Sequence, residues 1–144
     1  SAPGDTSRSF IKGENIFYSS HVQGVGWMEQ VSNGATSGTQ GKNLRLEAIK
    51  ITLSNENYEG NVEYSAHIQD IGWQNYVSNG AIAGTENESR RIEAIKIRLT
   101  GEIANYFDVY YRVYCQNIGW LDWTCNDNPA GTIGASYRIE FSLL

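Results

Sequence analysis

Apolar and polar residues alternate along Val62, Glu63, Tyr64, Ser65, Ala66, His67 and Ile68, the two-residue period of a strand with one buried face. The same alternation recurs at Ile16, Tyr18, Ser20 and Val22, and at Val109, Tyr111, Val113 and Cys115. A second kind of strand follows each: LRLEAIKITL, RIEAIKIRL and YRIEFSLL. Its apolar positions change face midway, Leu46 and Ala48 giving way to Ile49, Ile51 and Leu53, which predicts a bulge or bend. Between the two strands lies a Trp-led segment, WMEQV, WQNYV or WLDWT. Ser-Asn-Gly follows it twice and Cys-Asn-Asp once. Asn-Gly tolerates positive φ and signals a tight hairpin. A short strand near Gly38-Thr39, Gly84-Thr85 and Gly131-Thr132 is expected to complete that hairpin. No segment of useful length carries a helical period.

Superposing the chain on Trp27, Trp73 and Trp120 aligns three segments without a gap, at spacings of 46 and 47 residues. Such a period is the mark of a repeat-built architecture. Four short strands per unit predict one all-β domain with pseudo-threefold symmetry, a β-trefoil or, as the alternative, a β-prism. A small, polar N-terminal tail, residues 1–13, reads as a linker. The domain then spans 14–144, in repeats of about 14–59, 60–104 and 105–144. Gly-Trp recurs each time after Val or Ile, which predicts three buried core tryptophans.

The 144 residues suit a single domain able to bury its own core. Fifteen glycines, two prolines, nine tyrosines and four tryptophans fit tightly turned β structure. A net charge of −5 argues against nucleic acid, whose phosphates call for a basic face. No apolar run reaches the roughly 18 residues a membrane span requires. With Ser1 in place of an initiator Met and no secretory signal, the chain reads as an excised domain.

Cys115 and Cys125 occur only in the third repeat. They replace Val22 and Ile68 at one position and Ser32 and Ser78 at the other. The joint replacement predicts neighbours in space joined by a disulfide, and with it an extracellular setting.

A catalytic centre is unique in a chain, whereas a recognition surface can be copied. His21 and His67 occupy equivalent positions and should lie far apart, which disfavours a shared metal site or a Ser-His-Asp arrangement. Glu47, Glu93 and Glu140 are likewise symmetry mates rather than an acid/base pair. No enzyme activity, metal or cofactor is expected. Gln23, Gln69 and Gln116, Asn33, Asn79 and Asn126, Thr39, Thr85 and Thr132, and Arg45, Arg91 and Arg138 also recur. They read either as scaffold or as planar hydrogen-bonding groups for sugar hydroxyls. The residues that vary around each Trp are the candidate ligand contacts: Gln30, Tyr76 and Trp123 three after it, Asn75 and Asp122 two after it, and His21, His67 and Tyr114 six before it. An aromatic beside an amide or carboxylate is a common sugar-binding pair, so the second and third repeats are the better candidates.

The motifs VQGVGW, IQDIGW and CQNIGW, with the Asn-Gly turn, the Gly-Thr step and the Leu/Ile-Glu-Ala-Ile-Lys-Ile strand, resemble the ChW repeat of clostridial proteins. The resemblance spans residues 14–144 as three repeats, and the third departs at Asn126-Asp127 and Glu-Phe-Ser-Leu-Leu. It implies a non-catalytic accessory module on a secreted or surface-associated protein of a Gram-positive bacterium. The partner expected is a cell-wall or extracellular polysaccharide, the alternative being a protein.

Overall fold

The computed structural model describes residues 14–55, 57–134 and 139–143. The first repeat supplies β1 (Glu14–Val22), β2 (Gly26–Trp27), β3 (Val31–Ser32), β4 (Thr36–Ser37) and β5 (Leu46–Asn55). The second supplies β6 (Asn61–Ile68), β7 (Gly72–Trp73), β8 (Val77–Ser78), β9 (Ala83–Gly84) and β10 (Ile92–Thr100). After a single 3-10 turn, Glu102–Asn105, come β11 (Tyr110–Cys115), β12 (Gly119–Trp120), β13 (Thr124–Cys125), β14 (Ala130–Gly131) and β15 (Ile139–Leu143). The protein is all-β, as the alternation predicts, and its strands form three similar five-stranded sheets.

In each sheet the opening strand (β1, β6 or β11) pairs on one edge with its own closing strand (β5, β10 or β15). On its other edge it pairs with the two short strands of the Trp-led segment. The fifth strand comes from another repeat. β9 pairs with β5, β14 with β10, and β4 with β15, so each repeat hands one strand to a neighbour and the exchange closes on itself. The Gly-Thr strand therefore does not complete its own hairpin, contrary to expectation. Glycine is what lets it dock elsewhere: a Cβ on Gly84 would stand 2.3 Å from the Glu47 carbonyl oxygen and 2.7 Å from Ala48 Cα. Backbone bonds across the seams, such as Gly80 N–H to Ile51 O at 2.7 Å and Asp127 N–H to Ile97 O at 2.8 Å, complete the closure.

The expected bulge is present in two repeats. His21 faces Ala48 and Val22 faces Leu46, leaving Glu47 as the extra residue; Glu93 is extra in the same way between Ile92 and Ala94. The third repeat runs Cys115 to Ile139 and Tyr114 to Glu140 without a shift. Its closing strand reaches the same partner on β11 with one residue fewer at this point, because it omits the bulge.

The alternation places Tyr18, Tyr64 and Tyr111 inward, and all three are fully buried among Ile51, Val62, Ile95, Ile97 and Val113. Buried phenols need partners. The Tyr64 hydroxyl donates to the Ala81 carbonyl and accepts from the Ile51 N–H at 3.1 Å, tying the second repeat to the first. Tyr18 donates to Ala35 O and Tyr111 to Asn128 O. The core aromatic is thus tyrosine. Trp27, Trp73 and Trp120 are only half-buried, against the expectation of core tryptophans. They sit beside the outward-facing residues of the opening strands, His21, His67 and Tyr114, with which they pair directly.

The expected disulfide is also overturned: Cys115 and Cys125 are free thiols, the first buried and the second half-buried. Cys115 pairs with Gly119 and Cys125 with Tyr110, so they lie at opposite ends of β11. Five residues of strand correspond to about 16 Å, beyond the roughly 7 Å a disulfide spans. The Trp-led segment doubles back along the whole of β11, so positions that vary together share a strand edge without touching. The extracellular inference loses that support.

The recurring asparagines are scaffold. Asn33, Asn79 and Asn126 have φ of 46°, 41° and 45° and accept hydrogen bonds from the Ile16, Val62 and Val109 N–H groups. Their amides donate to Asn15, Asn61 and Asp108. The same bonds form with Asn126-Asp127 as with Asn-Gly, Asp127 taking a φ of 74°.

Candidate binding faces

Inward tyrosines leave the intervening residues of each opening strand on the outer face of its sheet. On the second sheet these are Glu63, Ser65 and His67, and β10 sets Arg98 and Lys96 against Glu63 and Ser65. Trp73 meets His67 edge-on at 5.3 Å between ring centroids, and the Lys96 ammonium lies 4.4 Å above the Trp73 ring. The first sheet repeats this, with His21 edge-on to Trp27 at 5.4 Å and Lys50 at 4.0 Å over it. On the third, Tyr114 takes the histidine's place at 5.6 Å from Trp120, and Arg112 lies over the indole at 4.4 Å.

The bulge residues anchor the inner rim. Glu47 is buried, with His21 Nδ1 at 3.2 Å and Arg45 Nε at 2.9 Å from its carboxylate oxygens. Glu93 stands between His67 at 3.3 Å and Arg91 at 3.7 Å. A bulge aims this otherwise misplaced carboxylate at the histidine that positions the Trp. Arg138 and the side chain of Glu140 lie outside the described residues. Glu86, just after β9, accepts from the Trp27 indole N–H at 2.9 Å. The other recurring polar residues serve the frame: Gln23 accepts from the Arg45 N–H at 3.2 Å, and the Thr85 and Thr132 N–H groups bond the Glu47 and Glu93 carbonyls.

The structure brings Tyr76 onto the Trp73 face, where Lys96 lies 5.4 Å over its ring and Arg98 3.7 Å over it. The Tyr76 hydroxyl crosses the seam to donate to Asp127, which also faces Arg98 at 3.7 Å. Partial burial and this carboxylate push the phenol up to about 12. Trp123 joins Trp120 through Arg112, whose guanidinium lies 4.7 Å over the Trp123 ring. Gln30, Asn75 and Asp122 are exposed, and His21 is buried behind Trp27. Tyr114, Trp120 and Trp123, all half-buried, form an aromatic row on the third face, while Tyr76 is held at its face and its hydroxyl. Sequence reasoning missed Lys50, Lys96, Arg112 and Glu86. The lysine of the Ile-Lys-Ile strand was the available signal, since it must face outward between two buried isoleucines.

Among the described residues no group of three or more His, Cys, Asp and Glu is placed to hold a metal ion, and no helix is long and apolar enough to cross a membrane. Fold and faces together define a three-repeat all-β domain that presents one Trp-centred face per repeat. The chain belongs to the ChW family, Clostridial hydrophobic W, whose profile matches residues 21–55, 67–101 and 114–140. No curated protein and no solved structure matches the chain.

Proposed function

We propose that this domain is a non-catalytic carbohydrate-binding module of a secreted or surface-associated Gram-positive protein, holding it on a cell-wall or extracellular polysaccharide. One observation carries the reading: a half-buried Trp with adjoining aromatic and polar side chains recurs on the outer face of all three sheets. Aromatic planes accept the apolar face of a pyranose, and amide, carboxylate and histidine neighbours suit its hydroxyls. The third sheet, with Tyr114, Trp120, Asp122 and Trp123, is the best-equipped face, and the second adds Asn75, Tyr76 and His67. Three weak sites on one rigid domain raise avidity on a repeating polymer. The two histidines belong to separate sheets, each beside its own glutamate, which supports a binding rather than a catalytic role. Three discrete open sheets with exchanged strands support the β-prism over the β-trefoil.

Binding to immobilised cell-wall, plant and host glycans tests the function. Retention that falls at least tenfold in Trp123→Ala, with the fold intact by circular dichroism, is the expected result. No retention on any glycan defeats the proposal. A second reading, a protein-docking module, has its own support. Val25, Ile71 and Ile118, one per repeat in the turn before each Trp, are 57%, 52% and 52% exposed. Retention of a protein partner that is lost on Ile71→Ser with Ile118→Ser, while glycans stay unbound, would select it.

A further inference from the structure

The three Trp-facing cations share a property that the other described cations, Lys42 apart, lack. Arg45, Arg90, Arg91 and Arg98 each face a carboxylate, at 2.9, 3.9, 3.7 and 2.8 Å. Among the described residues Lys50, Lys96 and Arg112 face none, in a chain with sixteen acidic and eleven basic residues. Their partners are indole rings, at 4.0, 4.4 and 4.4 Å. A ring face satisfies one side of a cation and leaves its other N–H donors free.

The charge is also kept in place by different means. In the first two repeats the lysine stands on the closing strand, opposite Ser19 or Ser65 on the opening strand. In the third the pair is reversed: Arg112 stands on the opening strand and Ser142 on the closing one. Residue type and strand both change, yet a positive charge remains above each Trp. Bracing the indole alone would be met by any long apolar side chain at that position.

We propose that each outer face is a subsite for an anionic group of a glycan, a carboxylate or a phosphate ester, held by Lys50, Lys96 or Arg112 while the sugar packs beside Trp27, Trp73 or Trp120. This rests on the glycan reading above and deepens it. Three such cations on separate sheets engage successive charges of one polymer or of neighbouring chains, so charge-assisted contacts add through avidity.

The test uses the intact domain and three soluble polymers: polygalacturonate for carboxylate, poly(glycerol phosphate) for phosphate, and dextran as the neutral control. One charged polymer should bind, more weakly as salt rises, and dextran should not; which one binds identifies the anion. Lys50→Met, Lys96→Met and Arg112→Met keep an apolar stem over the ring, and each should weaken binding several-fold, the triple variant on the order of a hundredfold. Lys42→Met removes an exposed charge that is not among the cations over the tryptophan rings and should leave binding unchanged, and Lys50→Arg with Lys96→Arg should retain it. Stronger binding to dextran than to either charged polymer overturns the anionic subsite and leaves the glycan proposal standing. Binding to no glycan at all overturns both. A triple variant that melts earlier yet binds the charged polymer as before also overturns the subsite, and shows the cations to be braces.

Discussion

Arg112 lies directly opposite Ser142 across the β11–β15 pair, where Ser19 faces Lys50 and Ser65 faces Lys96 in the other two sheets. The register is equivalent only because β15 lacks the bulge residue that β5 and β10 carry. Counting from the shared Ile-Glu, Ser142 would align with Ile95; counting from the ladder, it aligns with Lys96. One deletion and one exchange across a strand pair thus leave the cation over its Trp. The three faces are chemically related by three-dimensional position more closely than by sequence position.

The seam glycines separate two costs of a side chain. Gly84 and Gly24 both have positive φ, 103° and 72°, but a Cβ on Gly84 collides with the Glu47 carbonyl while one on Gly24 meets nothing within 4 Å. Gly24→Ala should cost roughly 1–2 kcal/mol for the backbone conformation alone. Gly84→Ala should cost roughly 3–5 kcal/mol, because it adds overpacking at the strand exchange. Gly131→Ala, facing the Glu93 carbonyl at 2.3 Å, should match Gly84→Ala. Urea unfolding of the three variants checks the order, and equal losses at Gly24 and Gly84 would contradict the exchanged pairing.

The cysteines should behave as two unlike thiols. Burial pushes the Cys115 thiol up, so at neutral pH it is protonated and shielded. A thiol reagent should modify half-buried Cys125 in the native protein and reach Cys115 only on unfolding. Intact mass should be the same before and after reduction. A mass two protons lower before reduction would mean that β11 and its Trp-led edge are not registered as described.

Alkaline pH should loosen the seam between the second and third repeats. A phenol whose folded pKa is raised holds its proton more tightly when folded, so its stabilisation is complete below the unfolded value. That stabilisation is lost as pH climbs through the folded value. For Tyr76 the window runs from the ordinary 10.0 to about 12, and buried Tyr64 and Tyr111 shift in the same direction. Urea midpoints should therefore fall through this range, and less steeply in Tyr76→Phe. An identical slope in that variant would remove Tyr76 and Asp127 from the effect.

The sequence by itself determined the repeat, the strands and much of their facing. Alternation through Val62, Tyr64, Ala66 and Ile68 settles which side of β6 is buried, because side chains alternate along a pleated strand whatever its neighbours are. The face change after Ala48 announces the bulge at Glu47. Asn33, Asn79 and Asn126 announce their turns through the positive φ that asparagine tolerates. These are local properties, and local physics leaves a local trace. Only the tertiary structure decided that β4, β9 and β14 pair with other repeats' closing strands, since no property of Ala83-Gly84 names the chain segment it will meet. It likewise decided that tyrosine, with its hydroxyl bridging repeats, occupies the core while Trp lies outside under a cation. Apolar neighbours such as Val25 and Ile71 suggested burial, yet they stand in exposed turns, and an indole beside them follows the outward register of His21 and His67. Cys115 and Cys125 show the same limit. Joint variation suggested that they touch, but their separation depends on how far the returning segment runs along β11, which is set by pairing.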